Sequence, residues 1–218
     1  QQLGGKGVSL LPQSEEQVLN AYKNAFNLSH NPDDSKKVIG EEFIQGDNYR
    51  FLVLGEKVIG VVRRKAAHIV GDGENSIRKL IELKNEERKE NIMLPIVIDN
   101  ELVLKLQREN MNLESIPQKD EEVILRYNCN LTTGGTTEEC QSEVNDFYNQ
   151  LAIRAIKALD TEFGGVDIIA ENISKPSKCA INEVNYNPGL RLHYKVDKGQ
   201  KTEVAVPIME YIRDKYLS

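Results

Sequence analysis

Asp167, Glu183 and Asn185 lie in the stretch GGVDIIAENISKPSKCAINEVNYNPG, residues 164–189, which reads as two strands joined by a polar connection. If that connection is symmetric about Lys175, antiparallel pairing sets Asp167 opposite Glu183 and Gly165 opposite Asn185, and the period of two puts all four on one face. Carboxylates about 4 Å apart repel by roughly 4 kcal/mol at an effective dielectric near 20, so the pairing requires a compensating cation or proton. Oxygen-only donors select Mg2+ or Mn2+ over zinc. The alternative is an ordinary hairpin whose acids face water. Val166, Ile168, Ile169, Ala180 and Ile181 argue against it, because they predict a mostly buried pair of strands in which unpaired carboxylates are costly.

The elements around this ribbon read as an α+β protein. Ser14 opens S-E-E-Q, a capping box at the head of a helix whose apolar stripe is Val18, Leu19, Tyr22 and Phe26. VIGEEFI and YRFLVLGEKVIGVVRR read as three strands, the last two joined by a two-residue turn at Gly55 and Glu56. Charged helices follow from GDGENSIRKL, with Ile77, Leu80 and Ile81 on one and Leu102, Val103 and Leu106 on the next. Then come the strand EVILRY, a TTGG loop, a helix through Phe147, Leu151, Ala155 and Leu159, the central ribbon, and a last helix through Ile208 and Ile212. A boundary near Gly71 to Gly73 divides a small β-rich lobe, 1–70, from a larger α+β lobe, 71–218. The opening within a glycine cluster, with no strand before it, predicts further elements upstream.

Composition sets the class. The 218 residues are 39% hydrophobic, enough for a substantial core, and carry a net charge of −6 with a pI near 5.3, which disfavours nucleic acid or an anionic membrane as the main partner. No apolar run approaches the roughly 18 residues needed to span a bilayer, and the first residues lack signal-peptide character, so a cytoplasmic location is expected. Cys129, Cys140 and Cys179 are odd in number without CxxC spacing, as reduced thiols would be, and the three histidines form no zinc-hydrolase pattern.

The segments GGKGVSL, EEFIQGDNYRFLVL, IVGDGENSIRKLI, LRYNCNLTTGG, GVDIIAENISKP and NEVNYNPGLRLH, in this order, resemble the ATP-grasp ligases of the glutathione synthetase and cyanophycin synthetase branch. More narrowly they resemble the C-terminal ATP-grasp module of bifunctional glutathione synthesis enzymes. The resemblance implies two lobes holding ATP and Mg2+ (or Mn2+), and ligation of a small-molecule acid to an amine through an acylphosphate. It assigns the metal to Asp167, Glu183 and Asn185, and transition-state charge neutralisation to Arg126. Gly4, Gly5, Lys6 and Gly7 resemble the loop that closes over the phosphates, and Glu41, Glu42, Phe43 and Ile44 the adenine-reading hinge. Asn48 stands where the family usually carries an acid for the ribose hydroxyls. Asn130, Thr132, Gly134 and Gly135 form either a loop suited to binding a substrate carboxylate or phosphate through backbone N–H groups or an ordinary turn, and Asn187, Gly189 and Arg191 line the acceptor side.

The expected reaction is of the glutathione synthetase type, joining γ-glutamylcysteine to glycine, in keeping with a chain that ends soon after its last helix. PGLRLH is closer to the cyanophycin synthetase pattern, so a ligase extending a peptide is the alternative. A nucleotide-binding fragment without catalysis of its own is a third reading, favoured by Asn48 and the missing upstream strand. An unpaired sheet edge would support a homodimer.

Overall fold

The computed structural model describes residues 12, 14–28, 37–91 and 93–217, which form two compact units, 1–44 and 45–218. In the first unit, α1 (Glu15–Leu28) begins at Ser14, whose hydroxyl accepts from the Gln17 N–H at 3.2 Å, one arm of the expected capping box. On its stripe Val18, Leu19 and Tyr22 are each about half exposed, and Tyr22 stacks on Phe26 with ring centroids 5.8 Å apart. VIGEEFI forms no strand: residues 38–44 have no regular structure, so Glu41, Glu42, Phe43 and Ile44 lie on irregular chain.

The second unit is built on a hairpin. β1 (Asp47–Leu54) and β2 (Lys57–Lys65) pair antiparallel through the expected Gly55–Glu56 turn, where Gly55 has φ 58°, a conformation that suits glycine. β6 (Phe163–Ala170) pairs with β1, β7 (Cys179–Asn185) with β6, and β5 (Thr136–Glu139) with β2, giving the antiparallel order β5-β2-β1-β6-β7. The boundary expected near Gly71 therefore falls inside this unit, because β1 and β2 belong to the same sheet as β6 and β7.

Period-two alternation divides the sheet faces. Tyr49, Phe51 and Val53 of β1, Val61 of β2 and Val166, Ile168 and Ala170 of β6 point to one side and bury Tyr148, Ala152, Ile153 and Ile156 of α4 (Asp146–Ala158). The register sends Asn48, Arg50 and Leu52, Arg64, Gly165 and Asp167, and Glu183 and Asn185 to the other side. That face is roofed by the segment after β7, which carries the short α5 (Arg191–Tyr194) and leads into α6 (Ala205–Ile212). Two glycines admit the roof. A Cβ on Gly165 would meet Pro188 at 2.8 Å, and one on Gly60 would meet His193 at 2.8 Å and Val204 at 3.0 Å.

A second core joins β3 (His68–Val70) and β4 (Glu122–Ile124) to α2 (Ile77–Glu90) and α3 (Asn100–Arg108), with Ile77, Leu80, Ile81, Leu102 and Leu106 buried as their helical spacing predicts. Ser76 and Asp99 cap these helices through their side chains. β4 ends before Arg126, so that arginine lies two residues past the strand rather than at its end.

Candidate functional site

Asp167 is the centre of the polar face. It is 2% exposed, and its carboxylate is held by two guanidinium groups: Arg50 donates from Nε to Oδ1 and from Nη2 to Oδ2 at 3.0 Å, and Arg64 donates from Nη2 to Oδ2 at 2.7 Å. Asn48 completes the chain of contacts by accepting from Arg64 Nε at 3.0 Å. Two cations on neighbouring strands thus supply the compensation that an isolated buried carboxylate needs.

Glu183 and Asn185 reach the same face through an irregularity. Near the connection the pairs are Ala170 with Cys179, Ile169 with Ala180 and Ile168 with Ile181, one residue out of step with symmetry about Lys175; a bulge at Asn182 then restores Asp167 opposite Glu183 and Gly165 opposite Asn185. Without it Asp167 would oppose Asn182, and Glu183 would turn toward α4. The expectation of two mostly buried strands is corrected: β6 is buried, but β7 is the sheet edge, with Glu183 exposed and Ile181 40% exposed.

Asp167, Glu183 and Asn185 put two carboxylates and one amide on one face, the oxygen chemistry a hard cation takes, while both Asp167 oxygens already accept from Arg50 or Arg64. No group of three His, Cys, Asp or Glu side chains gathers among the described residues, so any ion here would complete its shell with water and phosphate oxygens, as Mg2+ does.

Arg126 is 1% exposed and engaged by the start of α3. Nη1 donates to Glu101 Oε2 at 3.0 Å, and Nη2 to Asp99 Oδ2 at 2.8 Å and to the Val97 carbonyl at 2.9 Å, while Nε has no partner among the described residues. The following loop is tied internally. Its Leu131–Thr133 segment is a 3-10 turn, the Gly134 N–H donates to Leu131 O at 3.2 Å, and the Gly135 N–H to Asn130 O at 3.0 Å. These two N–H groups are thus used within the turn, the second of the two readings, and what the loop offers outward is the exposed side chains of Asn130 and Thr132. Gly134 is needed for another reason, since it has φ 94° and rests on Ile96 with 2.6 Å to an added Cβ. Cys129 of this loop has its thiol pKa raised by burial and lowered in part by the charge of Arg64, with Asp167 also acting on it, which sets the loop beside the cluster.

Asn187, Gly189 and Arg191 are exposed on the roof. Gly189 is uncrowded and outside the left-handed region, so the turn does not require glycine there. Gly4, Gly5, Lys6 and Gly7 lie outside the described residues. Arg50 escaped the sequence reading, although a lone arginine alternating with Tyr49, Phe51 and Val53 on an apolar strand is the same signal that marks Asp167.

His193, on the roof's α5, is 1% exposed and packs on Gly60, with Nδ1 unpartnered among the described residues, and burial together with the charge of Arg50 brings its pKa down to about 4. The imidazole is therefore neutral in the fold and takes up a proton more readily when unfolded. The stability linked to it is complete above about pH 6.5 and drains away toward pH 4, by about 3 kcal/mol. Urea midpoints at pH 7 and pH 4.5 are expected to differ less for His193→Gln than for the wild type; equal differences would remove His193 from the account.

The sequence and the fold have counterparts. The RimK-like ATP-grasp domain matches residues 74–212. The chain is 36% identical over 215 residues to the glutathione biosynthesis bifunctional protein GshAB of Listeria monocytogenes serotype 4b, covering 95% of this chain and 27% of that protein. It is 30% identical over 216 residues to the cyanophycin synthetase of Synechocystis sp., covering 95% of this chain and 24% of that protein. The crystal structure of a bifunctional glutathione synthetase from Pasteurella multocida superposes with a TM-score of 0.67 at 25% identity, covering 99% of this chain and 30% of that one. The chain thus spans about a quarter of the length of the curated relatives it matches. Its α+β architecture, its mostly antiparallel sheet and the match over residues 74–212 lead to one statement of kinship: the chain belongs to the RimK-like ATP-grasp family.

Proposed function

We propose that this chain is the ATP-grasp part of a carboxylate-amine ligase of the glutathione synthetase type, joining γ-glutamylcysteine to glycine at the expense of ATP. The observation that carries this reading is the cluster on one sheet face, where Asp167, Glu183 and Asn185 present oxygen donors beside the guanidinium groups of Arg50 and Arg64. A carboxylate oxygen of the acid attacks the γ-phosphorus, the bond to the bridging oxygen breaks and ADP leaves. The amine then attacks the acyl carbon, the C–O bond breaks, and phosphate leaves as the nitrogen gives up a proton. Both stages gather negative charge, and positioning with charge neutralisation does most of the work in such transfers.

Mg2+, when bound by Asp167, Glu183 and Asn185, supplies Lewis-acid neutralisation of the phosphates. Arg126, held rigid by Asp99 and Glu101, keeps an oriented cation beside the loop that carries Asn130 and Thr132. Asn187 and Arg191 are proposed for the acceptor side. Gly4, Gly5, Lys6, Gly7, Glu41, Glu42, Phe43, Ile44 and Asn48 are proposed for the nucleotide, a role that rests on the resemblance of their segments. The free thiols of Cys129, Cys140 and Cys179 support a cytoplasmic setting.

A second reading, a cyanophycin synthetase-like ligase extending a peptide, draws on PGLRLH and on the 30% identity to that enzyme. Acid- and amine-dependent ADP release by the full-length protein over a panel of acids and amines decides between them: γ-glutamylcysteine with glycine supports the first, a peptide with a free amino acid the second. No ADP release dependent on any acid and amine would refute both.

A further inference from the structure

Arg88 is buried where a cation has little company. It lies in the last turn of α2 at 3% exposure, and its nearest carboxylate, Asp197 Oδ1, is 3.7 Å from Nη1, an atom with no hydrogen-bond partner among the described residues. Its other two donors go to backbone: Nε to Leu94 O at 2.7 Å and Nη2 to Gly135 O at 3.2 Å. The same helix braces that loop from below, since Asn85 exchanges two hydrogen bonds with Ile96, at 2.9 and 2.7 Å, and Ile96 underlies Gly134. At the far end, Asp197 Oδ2 accepts from Thr137 N at 2.8 Å, the Asp197 N–H donates to Thr137 O at 2.7 Å, and Thr137 Oγ1 donates to Lys195 O at 3.0 Å. One side chain of α2 thus touches the glycine loop and faces the roof segment.

A buried, incompletely paired charge is a poor device for stability, because desolvation outweighs the weak attraction it recovers. It is a good device for holding backbone carbonyls at fixed positions. We infer that Arg88 and Asp197 are positioning residues, a strut that locks the Asn130–Gly135 loop and the 188–204 roof to α2 so that the two substrate-side segments keep one relative geometry. This rests on the ligase reading, with the loop serving the acid.

Arg88→Gln keeps a hydrogen-bond donor but loses the charge and the fork. In the full-length protein it is expected to raise the KM for γ-glutamylcysteine about tenfold, leaving the KM for ATP within about twofold and kcat within about threefold, with Arg88→Lys recovering part of the loss. Amide exchange at Gly135, Thr137 and Asp197 is expected to quicken about tenfold while the β6 amides Val166 and Ile168 stay protected. If Arg88→Gln does not fold, Asp197→Asn carries the same test, since it retains an acceptor for the Thr137 N–H and removes only the charge facing Arg88. Equal increases in both KM values, or exchange unchanged in these segments, would overturn the strut. A wild type without acid-dependent ADP release would instead defeat the ligase reading, and the exchange measurement would still decide the strut.

Discussion

Asp167→Leu is expected to lower the unfolding free energy by about 3–5 kcal/mol, because it strands two guanidinium groups that the fold keeps from water. Arg50 is 7% exposed and directs both Nε and Nη2 at this carboxylate, so without it the arginine must either stay buried unpaired or leave the face and open a void beside Gly165, whose added Cβ would lie 2.9 Å from Arg50 Cδ. Arg64 is better placed to adapt, since its side chain is 12% exposed and Asn48 still accepts from it. A second substitution separates pairing from packing. Arg50→Met combined with Asp167→Leu replaces the ion pair by apolar groups of similar volume and is expected to recover at least about half of the loss, as buried pairs often tolerate joint replacement. Urea unfolding at pH 7 with an unchanged m-value measures both. A single-variant loss below about 1 kcal/mol would mean that the cluster does not hold the sheet together.

What the sequence made legible follows from which physical constraints are local. The Gly55–Glu56 turn and the alternation Tyr49, Phe51, Val53 define β1 and β2 within a few residues, and the helical stripes of α2 and α3 lie where their spacing predicts, whereas α4 buries Tyr148, Ala152, Ile153 and Ile156 in place of the expected Phe147, Leu151, Ala155 and Leu159, of which Phe147 and Leu159 are exposed. Asp167 and Glu183 oppose each other as expected, yet by a different route: the connection is one residue out of step with symmetry, and the bulge at Asn182 makes up the difference. No short-range signal marks that bulge, since Asn182 is exposed and its neighbours would alternate equally well in either register. The compensating charge was also non-local. Two carboxylates read from one ribbon seemed to need a cation of their own, whereas Arg50 lies 117 positions away and Arg64 103, brought alongside by strand order rather than by sequence distance. VIGEEFI has strand-like composition but pairs with nothing described, and apolar residues alone do not make a strand without a ladder partner. The glycines of the TTGG loop are legible as necessary but not as to purpose, because the same residues suit a ligand-binding loop or a closed turn: Gly134 and Gly135 let the loop close on itself and rest on Ile96.

Glu183→Gln is expected to abolish turnover while leaving stability within about 0.5 kcal/mol of the wild type, the reverse pattern to that of Asp167. Glu183 is exposed on the edge strand and has no ion pair among the described residues, Arg50 and Arg64 both pairing with Asp167, so neutralising it disturbs neither the sheet nor the arginine cluster. Its value lies in charge. An amide keeps the shape and one oxygen donor but loses the negative charge that would draw a divalent ion onto this face, and several kcal/mol of neutralisation corresponds to roughly a thousandfold in rate. The loss should appear chiefly as weakened dependence on added Mg2+, read without turnover by titrating Mn2+ binding to the protein in the presence of ATP. Near-normal rates with unchanged Mn2+ binding would remove Glu183 from the metal set, and would leave Asp167 as a structural carboxylate whose two arginines are partners enough.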